Sequence, residues 1–452
     1  MSTNHLTPLR GTSGRRPASV RRRWASAFVL AAGALLASAA QAYQYGPFTL
    51  TGFLKYDATR SNNACPNCQL FPGALKDEPW SDTLVPGTHY GAQTASLVQV
   101  QPWLGLHFNL GHGFKLDGLL SQRWQGGKPV FPGFLFERSI TLRHEDYGSL
   151  QIGAMTTRGW SLADYPFGTD IGMSYIWGSS GAGYGILTGA LRYTSRVFDF
   201  LDGDLVLEAT YDRGNTAFKI NKPSFVEYWM QYRRGDLSLD GVIQNTRNGT
   251  PSAFAQGPFT GLTPFPADDA KLGSSGQSMA MLMARYDLTS SIRLSAGVRR
   301  NRWSGAYAVI TTYSPTASQW NDMFNVCWNS DVPSCANNPG YPATSTDWIL
   351  GARYTMGRWA FFSGMTYLGT AATDNPSPRA QSSAHNSALF NTLGVAYNPT
   401  PRIQFSATGG MVRFGQVGRA PMSMASNSQF TNADARLTRN GNYLTLEALY
   451  TF

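Results

Sequence analysis

The stretch Asn442-Tyr-Leu-Thr-Leu-Glu-Ala-Leu-Tyr-Thr-Phe452 decides the fold. Leu444, Leu446, Ala448, Tyr450 and Phe452 are all apolar, while the interleaved Tyr443, Thr445, Glu447, Leu449 and Thr451 are mostly polar. Successive side chains of a strand point to opposite faces, so this alternation predicts a strand with one greasy and one wet face. A tilted strand needs roughly 9–11 residues to cross a bilayer, which is the length of this stretch. A half-buried strand of a soluble sandwich would read the same way, so the rest of the chain has to decide.

At the other end, Arg10, Arg15, Arg16, Arg21, Arg22 and Arg23 precede an apolar run from Ala27 to Ala40. Ala40-Gln41-Ala42 then has the small-x-small form of a signal-peptidase site. The pattern predicts a signal peptide over 1–42, with Tyr43 as the new N-terminus. A retained anchor is the rival reading, but the run falls short of the ~20 residues a spanning helix needs. Six of the 37 basic residues leave with this segment, so 31 remain against 27 acids, a net of +4 rather than +10. No nucleic-acid partner is expected from so small an excess, which is at most a lean towards anions inside a pore.

Aromatics make up 13% of the chain and charged residues only 14%, with 47 glycines. No apolar stretch beyond the N-terminal run could span as a helix. A transmembrane barrel reads this way, but so does a secreted all-β enzyme or lectin. Order along the chain separates them. Sixteen strand-like segments are expected, at about 47–58, 95–109, 114–124, 134–144, 150–157, 186–197, 204–212, 224–233, 237–246, 278–287, 292–303, 347–356, 358–369, 387–397, 402–414 and 440–452. Their connections alternate between long and short. That sorting predicts an all-β transmembrane antiparallel barrel over 43–452, with short periplasmic turns and long extracellular loops. Closure follows because an open sheet edge is too costly in lipid. Outward phase includes Phe134, Phe136, Ile140 and Leu142, with Arg138 as an exception. Outward aromatics such as Phe48, Tyr56, Phe108, Tyr193, Tyr228 and Tyr397 read as interfacial girdles.

The terminal Phe452, with Tyr450 two residues before it, resembles the C-terminal assembly signal of Gram-negative outer-membrane barrels. Leu191-Arg192-Tyr193-Thr194 and Gly203-Asp204-Leu205-Val206-Leu207 resemble the strand–turn–strand motif that follows the constriction loop in general porins of the β-proteobacterial and neisserial type. The resemblance covers 43–452. It implies a sixteen-stranded barrel, usually a homotrimer, delivered to the outer membrane by the barrel assembly machinery and passing small hydrophilic solutes and ions. It also implies that the loop at about 158–184 folds inward.

That loop carries Asp164 and Asp170, and Lys55, Arg123 and Arg143 have inward phase on the wall. Acids facing cations across a narrow waist would set up a transverse field that sorts polar solutes. The bland alternative leaves both acids on the loop surface. The four cysteines, Cys65, Cys68, Cys327 and Cys335, fall in long loops and read as local disulfides in an oxidising compartment. A lone Cys-x-x-Cys is a poor zinc site with only His89 nearby, so no metal or cofactor is expected. Nor is catalysis: Gly178-Ser-Ser-Gly181 is not a nucleophile elbow, and the histidines lack catalytic spacing. A substrate-selective channel is the nearest rival. A barrel adhesin or receptor, working through the loops at 304–346 and 247–277, is the rival from another class.

Overall fold

The computed structural model describes residues 43–62, 92–129, 136–178, 180–248, 258–259, 270, 273–305, 307–308, 326–327, 341–376, 378–383, 387–415, 421, 423 and 440–452. The expected signal peptide, Cys65, Cys68 and Cys335 lie outside the described residues, as does the side chain of Cys327.

Sixteen strands build one closed antiparallel barrel. They are β1 (Phe48–Asn62), β2 (Ala92–Gly111), β3 (Phe114–Ser121), β4 (Glu137–His144), β5 (Gly148–Thr156), β6 (Ile186–Thr194), β7 (Gly203–Asp212) and β8 (Ser224–Arg234). The second half comprises β9 (Leu237–Arg247), β10 (Ser275–Asp287), β11 (Ile292–Gly305), β12 (Ala343–Met356), β13 (Trp359–Leu368), β14 (Ala388–Thr400), β15 (Ile403–Phe414) and β16 (Asn440–Thr451). Each pairs with the next, and β16 returns to β1 in register from Phe53↔Thr451 to Asn62↔Asn442. Phe452 seals this seam. Its N–H donates to the Gly52 carbonyl at 3.0 Å, and the Gly52 N–H donates back at 2.9 Å. Its ring lies over Gly52, where a Cβ would come within 2.4 Å of it, so the seam requires glycine there.

The outer face is apolar and exposed, as alternation requires: Ile140, Ile152, Leu393 and Leu446 each show more than half of their surface. Aromatic side chains gather towards the tight-turn end, where Trp359 meets Tyr397 at 4.7 Å and Tyr450 meets Phe452 at 6.1 Å. Phe136 corrects the expectation for its segment. It precedes β4 in a bend, so strand phase does not apply to it, and it turns inward to pack with Trp160 and Ile186.

A second departure is larger. The inner wall of β8 to β15 carries an apolar patch among its polar groups. Trp229, Val242, Met279, Met281, Met283, Ile349, Phe390, Val412 and Phe414 point inward and are buried. They are covered by the segment between β5 and β6, whose Phe167, Ile171, Met173, Ile176 and Trp177 join them in one apolar core. This core lies inside the barrel and pins an inserted loop to one side of it.

Candidate pore interior

The inserted loop begins at Thr157. Its hydroxyl donates to the Tyr184 carbonyl at 2.7 Å and accepts from the Trp160 N–H at 3.2 Å, closing the loop's neck and capping the short helix Arg158–Leu162. The free N–H groups of that helix start are taken by the wall. Glu227 accepts from the Arg158 N–H at 2.8 Å and the Gly159 N–H at 3.0 Å, a carboxylate at the positive end of a helix. The Arg158 side chain makes a two-pronged pair with Glu208, at 2.9 and 2.8 Å. Burial disfavours the Arg158 cation, but the hydrogen bonds and charge of Glu208 outweigh it and raise its pKa.

The loop's lowest point is near Asp170. Arg293 donates to its carboxylate at 2.9 Å, and Arg353 lies 3.8 Å from it. Arg293 is the second residue of β11 and Arg353 stands three residues before the end of β12, so this acid is held towards the tight-turn end. Just after it, Ile171 sits over the inward-facing pair Gly351 and Gly364. A Cβ on Gly351 would come within 2.5 Å of Ile171, and one on Gly364 within 2.7 Å of its carbonyl oxygen. Two missing side chains make the seat.

The loop's return is fastened by Arg299. Its guanidinium donates to the Trp177 carbonyl at 2.8 Å, the Ser180 carbonyl at 2.7 Å, the Ser180 hydroxyl at 2.6 Å and Asp347 at 2.9 Å. It also stacks 4.5 Å from the Trp177 ring centre. Its side chain is 1% exposed and that of Asp347 is fully buried. Asn301 continues the row, accepting from the Ala182 N–H at 2.9 Å.

Lys55, Arg123 and Arg143, the cations expected to face Asp170, each have other neighbours. Lys55 lies 3.3 Å from Asp57 and 3.6 Å from Glu447. Arg123 donates to Gln101 at 2.6 Å and is packed among the rings of Phe136, Trp160 and Phe53. Arg143 pairs with Asp117, which also sits 2.7 Å from His107. The cations that do meet Asp170, Arg293 and Arg353, stand on the opposite wall. The side chain of Asp164 lies outside the described residues. Inward phase is readable for all of these groups, but phase does not say which wall a loop leans on. Arg158 and Asp347 carry no sequence signal beyond their charge; the seating of the loop's apolar face is what completes the surroundings of each, with Glu208 and Arg299 as their partners.

Accessibility grades along the barrel. Towards the loop end, Arg123, Glu137, Glu208, Arg299 and Asp347 are buried. Towards the turn end, the Arg143 side chain is 58% exposed and that of Arg293 36%. Inward charges are thus covered towards the loop end and accessible towards the turn end. Among the described residues, no group of histidine, cysteine, aspartate and glutamate could hold a metal ion.

Comparison with solved structures finds the same fold. The chain resembles the trimer form of the outer-membrane protein OmpT of Vibrio cholerae, with a TM-score of 0.53 and 11% identity over 90% of this chain and 99% of that one. It resembles an anion-selective porin from Comamonas acidovorans, with a TM-score of 0.52 and 12% identity over 90% and 99% of the two chains. A Salmonella typhi OmpF complex with daunomycin matches at a TM-score of 0.52 and 13% identity, again over 90% and 99%. No protein-family model matches the chain, and no curated protein matches it.

Proposed function

We propose that this protein is an outer-membrane diffusion channel for small hydrophilic solutes and ions. The observation that carries the reading is the closed barrel with an apolar outer face and a charged loop seated within it. An apolar exterior suits lipid, and a loop latched to one inner wall narrows a lumen without closing the barrel. On this reading the chain is of the general porin kind, works as a homotrimer, and uses Tyr450 and Phe452 as its assembly signal. Asp170, with Asp164, lines the constriction, where Asp170 is paired with Arg293 and Arg353 on the wall that holds the loop. The burial of the upper inward charges is the observation that supports the second reading, a substrate-selective channel.

Planar-bilayer recording of purified protein tests the reading. Stepwise conductance in salt is expected, with a reversal potential in a salt gradient that shifts towards anion preference when Asp164 and Asp170 are both changed to Asn. A silent bilayer would remove the channel reading. An unchanged reversal potential would remove the two acids from the constriction.

A further inference from the structure

The turn end of the inner wall carries a rung of cations that the loop does not use. Arg233 on β8 pairs in register with Ser238 on β9, Ser238 with Arg285 on β10, and Arg285 with Ser295 on β11. All four side chains share the inward face. Neighbouring strands lie about 4.8 Å apart, so the two arginine Cα atoms stand roughly 10 Å apart with a short serine between them. A cavity of 180 Å³ opens at this point, lined by Arg233, Ser238, Arg285, Asp287 and Arg293 among others.

The hydrogen-bond inventory of this rung is unbalanced. Among the described residues, neither Arg233 nor Arg285 makes a hydrogen bond or an ion pair. The hydroxyls of Ser238 and Ser295 are buried and have no partner. The nearest carboxylate, Asp287, lies close enough to Arg285 to feel its charge, but both of its oxygens are engaged by Arg293, at 2.6 and 3.2 Å. Asp204 flanks Arg233 on its other side and Asp236 lines the cavity from the exposed turn, and neither forms an ion pair with Arg233 or Arg285. Guanidinium groups only donate, and hydroxyls can donate too. Two donor forks flanking a hydroxyl, in an accessible niche, therefore lack an acceptor with several oxygens.

We propose that Arg233, Ser238 and Arg285 form a binding site for a small oxyanion of the phosphate class at the periplasmic mouth of the barrel. An oxyanion seated over Ser238 takes one fork from each side, and the serine hydroxyl reaches it by turning about χ1 from its buried position. The site deepens the channel reading and rests on it for its place in transport: it would gather phosphate-bearing solutes beneath the loop.

Isothermal titration of inorganic phosphate into detergent-solubilised protein tests the site without any need for conduction. Saturable binding is expected in the wild type. The Arg233→Gln/Arg285→Gln double variant should weaken it about tenfold or more, and Ser238→Val by a smaller factor. Lys115→Gln removes one inward charge elsewhere on the wall and should leave binding within about twofold. In bilayers, phosphate added on the periplasmic side should block chloride current in the wild type and not in the double variant. No phosphate binding by the wild type, or equal loss in Lys115→Gln, would overturn the site even if the channel conducts. A silent bilayer with intact phosphate binding would overturn the channel reading and leave the site standing.

Discussion

Arg299 shows what a single side chain contributes inside this barrel. A guanidinium with 1% exposure would be ruinous alone, but its charge is met by Asp347 and its donors by the Trp177 and Ser180 carbonyls. Removing one member of such a buried pair strands the other, which typically costs about 3–5 kcal/mol. Arg299→Met is therefore expected to lower the thermal midpoint well below that of surface Arg→Met controls, as read by tryptophan fluorescence. Arg299→Lys should not restore it, because an ammonium cannot reproduce the planar fork. An unchanged midpoint in Arg299→Met would show that the return of the loop is fastened elsewhere. At this scale the sequence was a partial guide. The inward phase of Arg299, Arg293 and Arg353 was legible from alternation on their strands. Their partners were not, since Asp170, which meets Arg293 and Arg353, and Trp177 and Ser180, which meet Arg299, are far from them in sequence and belong to a loop.

The inserted segment is the element on which the interior depends, and its placement is legible in hindsight in β10. Ser278-Met-Ala-Met-Leu-Met-Ala284 is a nearly continuous apolar run, where a strand between lipid and water would alternate. A strand that is apolar on both faces is buried on both faces, and here the second cover is the loop. The expectation that inward means watery held on β1 to β7, where Asp57, Gln99, Gln101, Ser139 and Thr210 line the wall, and held only in part on β8 to β15, where Glu227, Gln244, Arg299 and Asp347 share the inner face with the apolar seat of the loop. The seat of Ile171 offers a direct probe. Gly351→Val places carbon where the loop now rests, and overpacking of this kind typically costs about 1–3 kcal/mol. Looser packing is expected to appear as noisier single-channel current and faster protease cleavage within 157–185. Clean current and wild-type protease resistance would mean that the loop is held by its ion pairs alone.

For the whole molecule, the strand count, the antiparallel order and the sorting of long and short connections were all legible, because lipid imposes one periodicity on every strand. The boundaries were less so. β1 and β2 run past their expected ends, since the backbone goes on pairing where side-chain alternation fades. The seam gives a global prediction. Gly52→Leu puts a side chain into the space of the Phe452 ring, so folded, heat-modifiable barrel should form several-fold more slowly from urea in detergent. Gel mobility with and without boiling reads this out, and wild-type kinetics would show that the seam does not govern closure.

The meeting of Gly52 and Phe452 also bears on how the protein comes into being. Every other strand lies between the two that join there, so the last zip of hydrogen bonds spans the longest possible loop and is entropically the slowest to find. Until it forms, the sheet has two bare rims, each a template for pairing with a neighbouring molecule. The polypeptide is therefore safest when its rims are shielded throughout assembly, and a version lacking either seam strand would have no halfway state to settle in.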